Sequence, residues 1–121
     1  MPEPLYLEEI PEYIPLVILN AEEGVFEMRG DVLPEYQSYC ETILDWLKAY
    51  AGNPNTSTIF RFCIYYIGDK GEQLIKDIIN ILRTLPNIVI EWHVQTKDLM
   101  EYGEDLSEEL AFPLRYIDAY L

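Results

Sequence analysis

The chain has 121 residues, half of them hydrophobic, which is enough for one domain with a real core and leaves no room for a second. Its 22 Asp and Glu against 8 Lys and Arg give a formal charge of -14, which repels nucleic acid and anionic membrane surfaces at long range. Apolar runs such as Leu16 to Leu19 are far shorter than the roughly 20 residues that span a bilayer.

Leu5 to Leu7 reads as a short edge strand, and Pro11 and Pro15 then punctuate an extended segment that is not helical throughout. Leu16 to Leu19 is a buried strand. Asn20 to Gly24 makes a turn in which Gly24 supplies a positive φ, and Val25 to Arg29 returns as the hairpin partner. In that return strand Phe26 and Met28 alternate with Val25, Glu27 and Arg29, so one face is apolar and the other mostly wet; Gly30 ends it.

Pro34-Glu35 opens a first helix, with Pro near the first turn and an acid beside the positive end of the helix dipole. Tyr36, Tyr39, Cys40, Ile43, Leu44, Trp46, Leu47 and Tyr50 recur along it at three- and four-residue steps, a broad core-facing stripe. Gly52 to Asn55 stops the helix and turns into Thr58 to Tyr66, whose β-branched and aromatic residues predict a central strand. A second helix runs from about Lys70 to Leu85 and stops at Pro86-Asn87. Ile88 to Val94 is another strand, with Ile88, Ile90, Trp92 and Val94 facing one way and Val89, Glu91 and His93 the other. A third, acidic helix runs from about Asp98 to Leu110, and Phe112-Pro113-Leu114 leads into an aromatic tail. This order predicts an α/β fold: a small mixed β-sheet that begins with an antiparallel hairpin, with about three helices packed mainly on one face.

The search for chemistry yields little. Cys40 and Cys63 lack the spacing of a metal knuckle or redox pair and follow no apolar leader, so both are expected to be reduced and buried in a cytoplasmic protein. His93, the one histidine, sits in a strand and reads as a half-exposed strand residue; with two scattered cysteines it fails the ligand count for zinc. Glu101, Glu104, Asp105, Glu108 and Glu109 read as a solvated helix face, and the alternative is a small ligand-binding domain or enzyme that uses these carboxylates with His93. With 10 Tyr, assembly through exposed aromatic rings is a third option. Gly68-Asp69-Lys70-Gly71 lacks the spacing of a phosphate-binding loop and reads as a strand-to-helix turn with Asp69 as the capping residue, still accessible to a partner.

Several motifs in order carry a resemblance across nearly the whole chain, from about Ile14 to Leu114. Gly24-Val25-Phe26-Glu27-Met28-Arg29-Gly30, Pro34-Glu35 and Ile43-Leu44-Asp45-Trp46-Leu47 are followed by Phe62 to Tyr66 and Lys76 to Leu82. Trp92-His93, Glu101-Tyr102-Gly103-Glu104-Asp105 and Phe112-Pro113-Leu114 complete the set. Together they resemble the SiaC family of bacterial regulatory phosphoproteins. The resemblance implies a STAS-like fold and a non-enzymatic binary switch without cofactor. In such a switch a histidine-kinase-like Ser/Thr kinase phosphorylates one Thr at the strand-to-helix junction and a PP2C-type phosphatase reverses it. The unmodified form binds and activates a diguanylate cyclase, so the implied output is cyclic di-GMP signalling and biofilm control.

The same resemblance places the regulatory position at Asp69, with Tyr66, Gly68, Lys70, Gly71 and Gln73 as the partner-binding surface around it. Where the family has Tyr-Leu-Asn-Thr-Ser-Ser, this chain has Tyr66-Ile67-Gly68-Asp69-Lys70-Gly71, and no hydroxyl stands at the phosphoacceptor position. Asp carries one negative charge against nearly two for a phosphate. The switch is therefore either locked near its modified state or lost. The family's Trp-x-Tyr-Asp run is likewise changed, to Trp92-His93-Val94-Gln95.

Overall fold

In the computed structural model, which describes residues 5–7, 16–22, 24–32, 37–68 and 71–118, six strands form one sheet whose spatial order is the order of the chain. The strands are β1 (Leu5–Leu7), β2 (Leu16–Leu19), β3 (Val25–Val32), β4 (Thr58–Ile67), β5 (Ile88–Val94) and β6 (Arg115–Asp118). The first three pair antiparallel, and β3 to β6 pair parallel through α1 (Gln37–Ala51), α2 (Gly71–Leu82) and α3 (Lys97–Leu110). Sequential parallel strands joined by crossovers of one hand place every connecting helix on the same side of the sheet.

The side chains agree with that placement. Phe26, Phe60 and Ile90 lie in one cross-strand row, and Met28, Phe62 and Trp92 in the next; all six are buried. Against these rows pack Ile43, Leu47 and Tyr50 of α1, the apolar face of α2 from Leu74 to Leu82, and Leu106 of α3. Aromatic rings link the layers: Phe26 meets Tyr50 edge-on at 4.9 Å, and Trp92 stacks on Tyr102 at 5.8 Å. On the opposite face of the sheet, Glu27, Arg61, Glu91 and His93 form an open polar surface.

Several boundaries differ from the sequence reading. Gly30 does not end β3, which continues to Val32; at φ +118° it sits where the β3–β4 register shifts, a backbone conformation that favours glycine. Gly24 does supply the positive φ of the hairpin turn, at +67°. The second helix runs from Gly71 and ends at Leu82 rather than Leu85, and its chain continues in tight turns to Leu85. The third begins one residue earlier than read, at Lys97, because the Thr96 hydroxyl accepts from the Leu99 N–H. Within the expected aromatic tail, Arg115–Asp118 form a sixth strand.

In α1, Ile43, Leu47 and Tyr50 are buried, while Cys40, Leu44 and Trp46 pack partly against the core. Cys40 is thus half-buried rather than buried; Cys63 is buried, and both are free thiols. Pro34, Glu35 and Tyr36, and the side chain of Tyr39, lie outside the described residues, as do Pro11 and Pro15. Among the described residues no helix is long and apolar enough to cross a membrane.

Candidate functional site

The end of β4 departs from strict alternation. Phe60, Phe62 and Ile64 face the helices, with Arg61 and Cys63 facing the other way. Gly30 pairs with Ile64 but Asp31 pairs with Tyr66, so Tyr65 is an extra residue on β4, a β-bulge. Beyond it the alternation restarts one residue late. Ile67 regains contact with the core, and two consecutive tyrosines are left outside, Tyr65 49% and Tyr66 57% exposed. They are the exposed large hydrophobic residues among those described.

Directly after this bulge the chain turns into α2. The Gly68 carbonyl accepts from the Gly71 N–H at 2.9 Å, and Gly71, itself buried, is the first residue of the helix. Asp69 and Lys70 lie outside the described residues, and so does the capping role expected of Asp69. Gln73 is exposed on the first turns of α2, where its Nε2 donates to Asp77 Oδ1 at 2.8 Å. Three residues on, Lys76 Nζ joins Glu72 at 3.0 Å and Glu109 of α3 at 2.7 Å, which ties the two helices together. Hydrogen bonds to Glu109 and then Glu72 raise the Lys76 pKa.

Of the residues singled out from the sequence, Tyr66, Gly68, Gly71 and Gln73 thus share the handover from β4 to α2. Tyr65, exposed beside them, was not singled out from the sequence. Its signal is the run Tyr65-Tyr66-Ile67, three large residues in a row where a period of two allows only alternate ones inside.

The alternative pairing of His93 with the acidic helix does not assemble. Trp92 faces α3, and its Nε1 donates to the Leu99 carbonyl at 3.0 Å. The next residue, His93, therefore points to the open face, where its Nε2 lies 3.1 Å from Glu91 Oε1. The sheet itself separates His93 from Glu104. His93 is half-exposed, as expected. Glu91 is also held by Arg61 Nε at 3.1 Å. Burial pushes the Glu91 pKa up, but hydrogen bonding and charge from His93 and Arg61 outweigh it and hold the carboxyl below its ordinary value.

The α3 carboxylates contribute instead to a cavity of about 230 Å³ against α2, lined by Glu72, Tyr102, Asp105, Leu106 and Glu109. Burial, followed by the charges of Glu72 and Glu109, pushes the Tyr102 phenol well above its ordinary value. Among the described residues no group of three or more His, Cys, Asp or Glu side chains is placed to hold a metal ion.

The SiaC family model, described as SiaC family regulatory phosphoprotein, matches residues 9–119. No curated protein matches the chain. Three solved structures share the fold. The crystal structure of apo-SiaC from Pseudomonas aeruginosa superposes with a TM-score of 0.82 at 17% identity, covering 95% of this chain and 98% of that one. A second structure of SiaC of Pseudomonas aeruginosa gives 0.77 at 15% identity, covering 98% of each. A third, of diguanylate cyclase SiaD in complex with its activator SiaC from Pseudomonas aeruginosa, gives 0.81 at 18% identity, covering 93% of this chain and 97% of that one.

Proposed function

The chain belongs to the SiaC family of regulatory phosphoproteins, and we propose that it is a non-catalytic adaptor that docks on a diguanylate cyclase through the handover from β4 to α2. The observation that carries this reading is the exposed pair Tyr65-Tyr66, set outside by the bulge directly before the position the family resemblance assigns to regulation. Tyrosine suits such a role because a rigid, amphipathic ring adds contact area at low entropic cost. The complex of a diguanylate cyclase with its activator SiaC supports the class of partner.

Asp69 stands at the family's phosphoacceptor position and offers no hydroxyl to a kinase. Its single charge is a partial stand-in for a phosphate. In this reading the adaptor engages its partner without a phosphorylation cycle. Thr56, Ser57 and Thr58 are no substitutes, since they lie at the other end of β4, roughly 20 Å or more away.

Co-purification of the folded chain with a diguanylate cyclase from the same cell tests the docking claim, and failure to bind overturns it. Asp69→Thr tests the regulatory claim separately. With a kinase from that cell the variant gains one phosphate by intact mass, which a PP2C-type phosphatase then removes, and the wild type gains none. Phosphate on the wild type at another residue would refute the loss of the switch.

A further inference from the structure

Across the open face of the sheet, Glu27, Arg61, Glu91 and Arg115 occupy one cross-strand row: Glu27 is in register with Arg61, Arg61 with Glu91, and Glu91 with Arg115. The row reads acid, base, acid, base over four adjacent strands. At about 4.8 Å per strand its ends lie roughly 14 Å apart. Glu91 is buried, whereas Arg61 keeps 42% of its side chain exposed and Arg115 is exposed. The neighbouring row on the same face, Val25, Ile59 and Val89, is apolar and half-buried.

We propose that this face docks on the same face of a second copy of the chain. The argument is charge complementarity under a two-fold axis. An axis parallel to the strands, lying between β4 and β5, reverses the order of the strands and keeps each row on its own row. It sets Glu27 of one copy against Arg115 of the other and Arg61 against Glu91, and both matches occur twice. The same operation lays Ile59 on Val89, so the apolar row also meets apolar surface. In a chain of net charge -14 most surfaces repel a second copy, and on this face the two acids are matched by two bases in the row and by Arg29 beside it. The area of four short strands falls below the ~800 Å² per partner of a standard stable interface, so the dimer is weak and concentration-dependent. The face is distinct from the tyrosine pair and does not rest on the cyclase reading.

Sedimentation of the full chain at physiological salt, where the screening length is about 8 Å, tests the proposal. The expected result is a weight-average mass that rises from monomer toward dimer with concentration. R115E and E27R, both at exposed or half-exposed positions, each set like charges across the axis and stay monomeric while remaining folded, with melting lowered slightly by the like charge each sets beside Glu91 or Arg61. Mixed in equal amounts they restore the dimer, since the acid introduced in one variant then meets the base introduced in the other, and the native Glu27 of the first meets the native Arg115 of the second. A wild type that remains monomeric to its solubility limit overturns the proposal, as do single variants that still associate or a folded mixture that does not. If R115E abolishes cyclase binding in a chain that never dimerises, the face belongs to that partner and the proposal fails.

Discussion

A Cβ built on Gly103 would stand 2.8 Å from both Cδ1 and Nε1 of Trp92. The helix α3 rests on the indole at a distance that only a hydrogen at this position permits. Tyr102 stacks on the same ring, and the indole N–H is spent on the Leu99 carbonyl, so Trp92 has no free direction in which to yield. The Tyr102-Gly103 pair within the family motif Glu101 to Asp105 is therefore explained by packing alone.

Gly103→Ala tests that contact. Overpacking costs about 1–3 kcal/mol, and the gain in helix propensity returns about 1 kcal/mol of it. The expected outcome is a net loss of about 1 kcal/mol in urea unfolding, with a changed near-ultraviolet signal from Trp92. An unchanged midpoint would show that α3 shifts freely on the sheet.

Two tyrosines make a controlled comparison. The Tyr50 hydroxyl shares a buried 2.7 Å hydrogen bond with Thr58 Oγ1 and accepts from the Asn55 N–H at 3.2 Å. The buried Tyr102 hydroxyl has no hydrogen-bond partner among the described residues. Tyr50→Phe leaves Thr58 and Asn55 short of a partner and is expected to cost about 1–3 kcal/mol. Tyr102→Phe removes a group that gains nothing from its burial and is expected to be neutral or mildly stabilising. Denaturant midpoints of the two variants check both signs at once.

Acid stability turns on Glu91. Its carboxyl is held below its ordinary value by His93 and Arg61 despite burial, so the folded state binds the proton less readily than the unfolded chain. The contribution is present in full above the unfolded value and is lost as pH falls through the lowered one. Glu91→Gln, which cannot titrate, is less stable than wild type near neutral pH, and the difference shrinks as pH falls through and below the ordinary carboxylate range. Urea midpoints measured down that range decide it; a gap that stays constant would rule out Glu91 as the source.

How much of this was legible in the sequence follows from which signals are local. The alternation of Ile88 to Val94 is a property of that segment alone, and it was read correctly. β6 was not, because four residues from Arg115 to Asp118 exist as a strand only through pairing with β5. Gly30 reads locally as a stop, yet its partner strand carries the chain on past a bulge. For the same reason Tyr66 was read without Tyr65: the run Tyr65-Tyr66-Ile67 signals a break in alternation, but the register of two strands sets which residue is the extra one. The separation of His93 from the acidic helix likewise needed the connection of β5 to α3, which settles which face each residue takes.

That bulge supplies the most direct test of docking. Tyr65 and Tyr66 are about half exposed and stand apart from the buried core, so replacing them removes contact area without opening a cavity. If they anchor a partner, truncation of a central aromatic costs more than ~1 kcal/mol of binding, a loss of roughly fivefold or more in affinity. Tyr65→Ala and Tyr66→Ala are each expected to weaken association with the diguanylate cyclase by at least that factor and to leave the melting temperature within a degree or two of wild type. Shortening β4 by one residue at Tyr65 is the sterner measurement. It removes the extra residue, so Tyr66 stays outside opposite Asp31 and Ile67 stays opposite Val32, and binding falls by the loss of the Tyr65 ring while stability is kept. Titration calorimetry alongside thermal melting separates the cases. Alanine variants that bind as tightly as wild type would move the docking surface away from the end of β4.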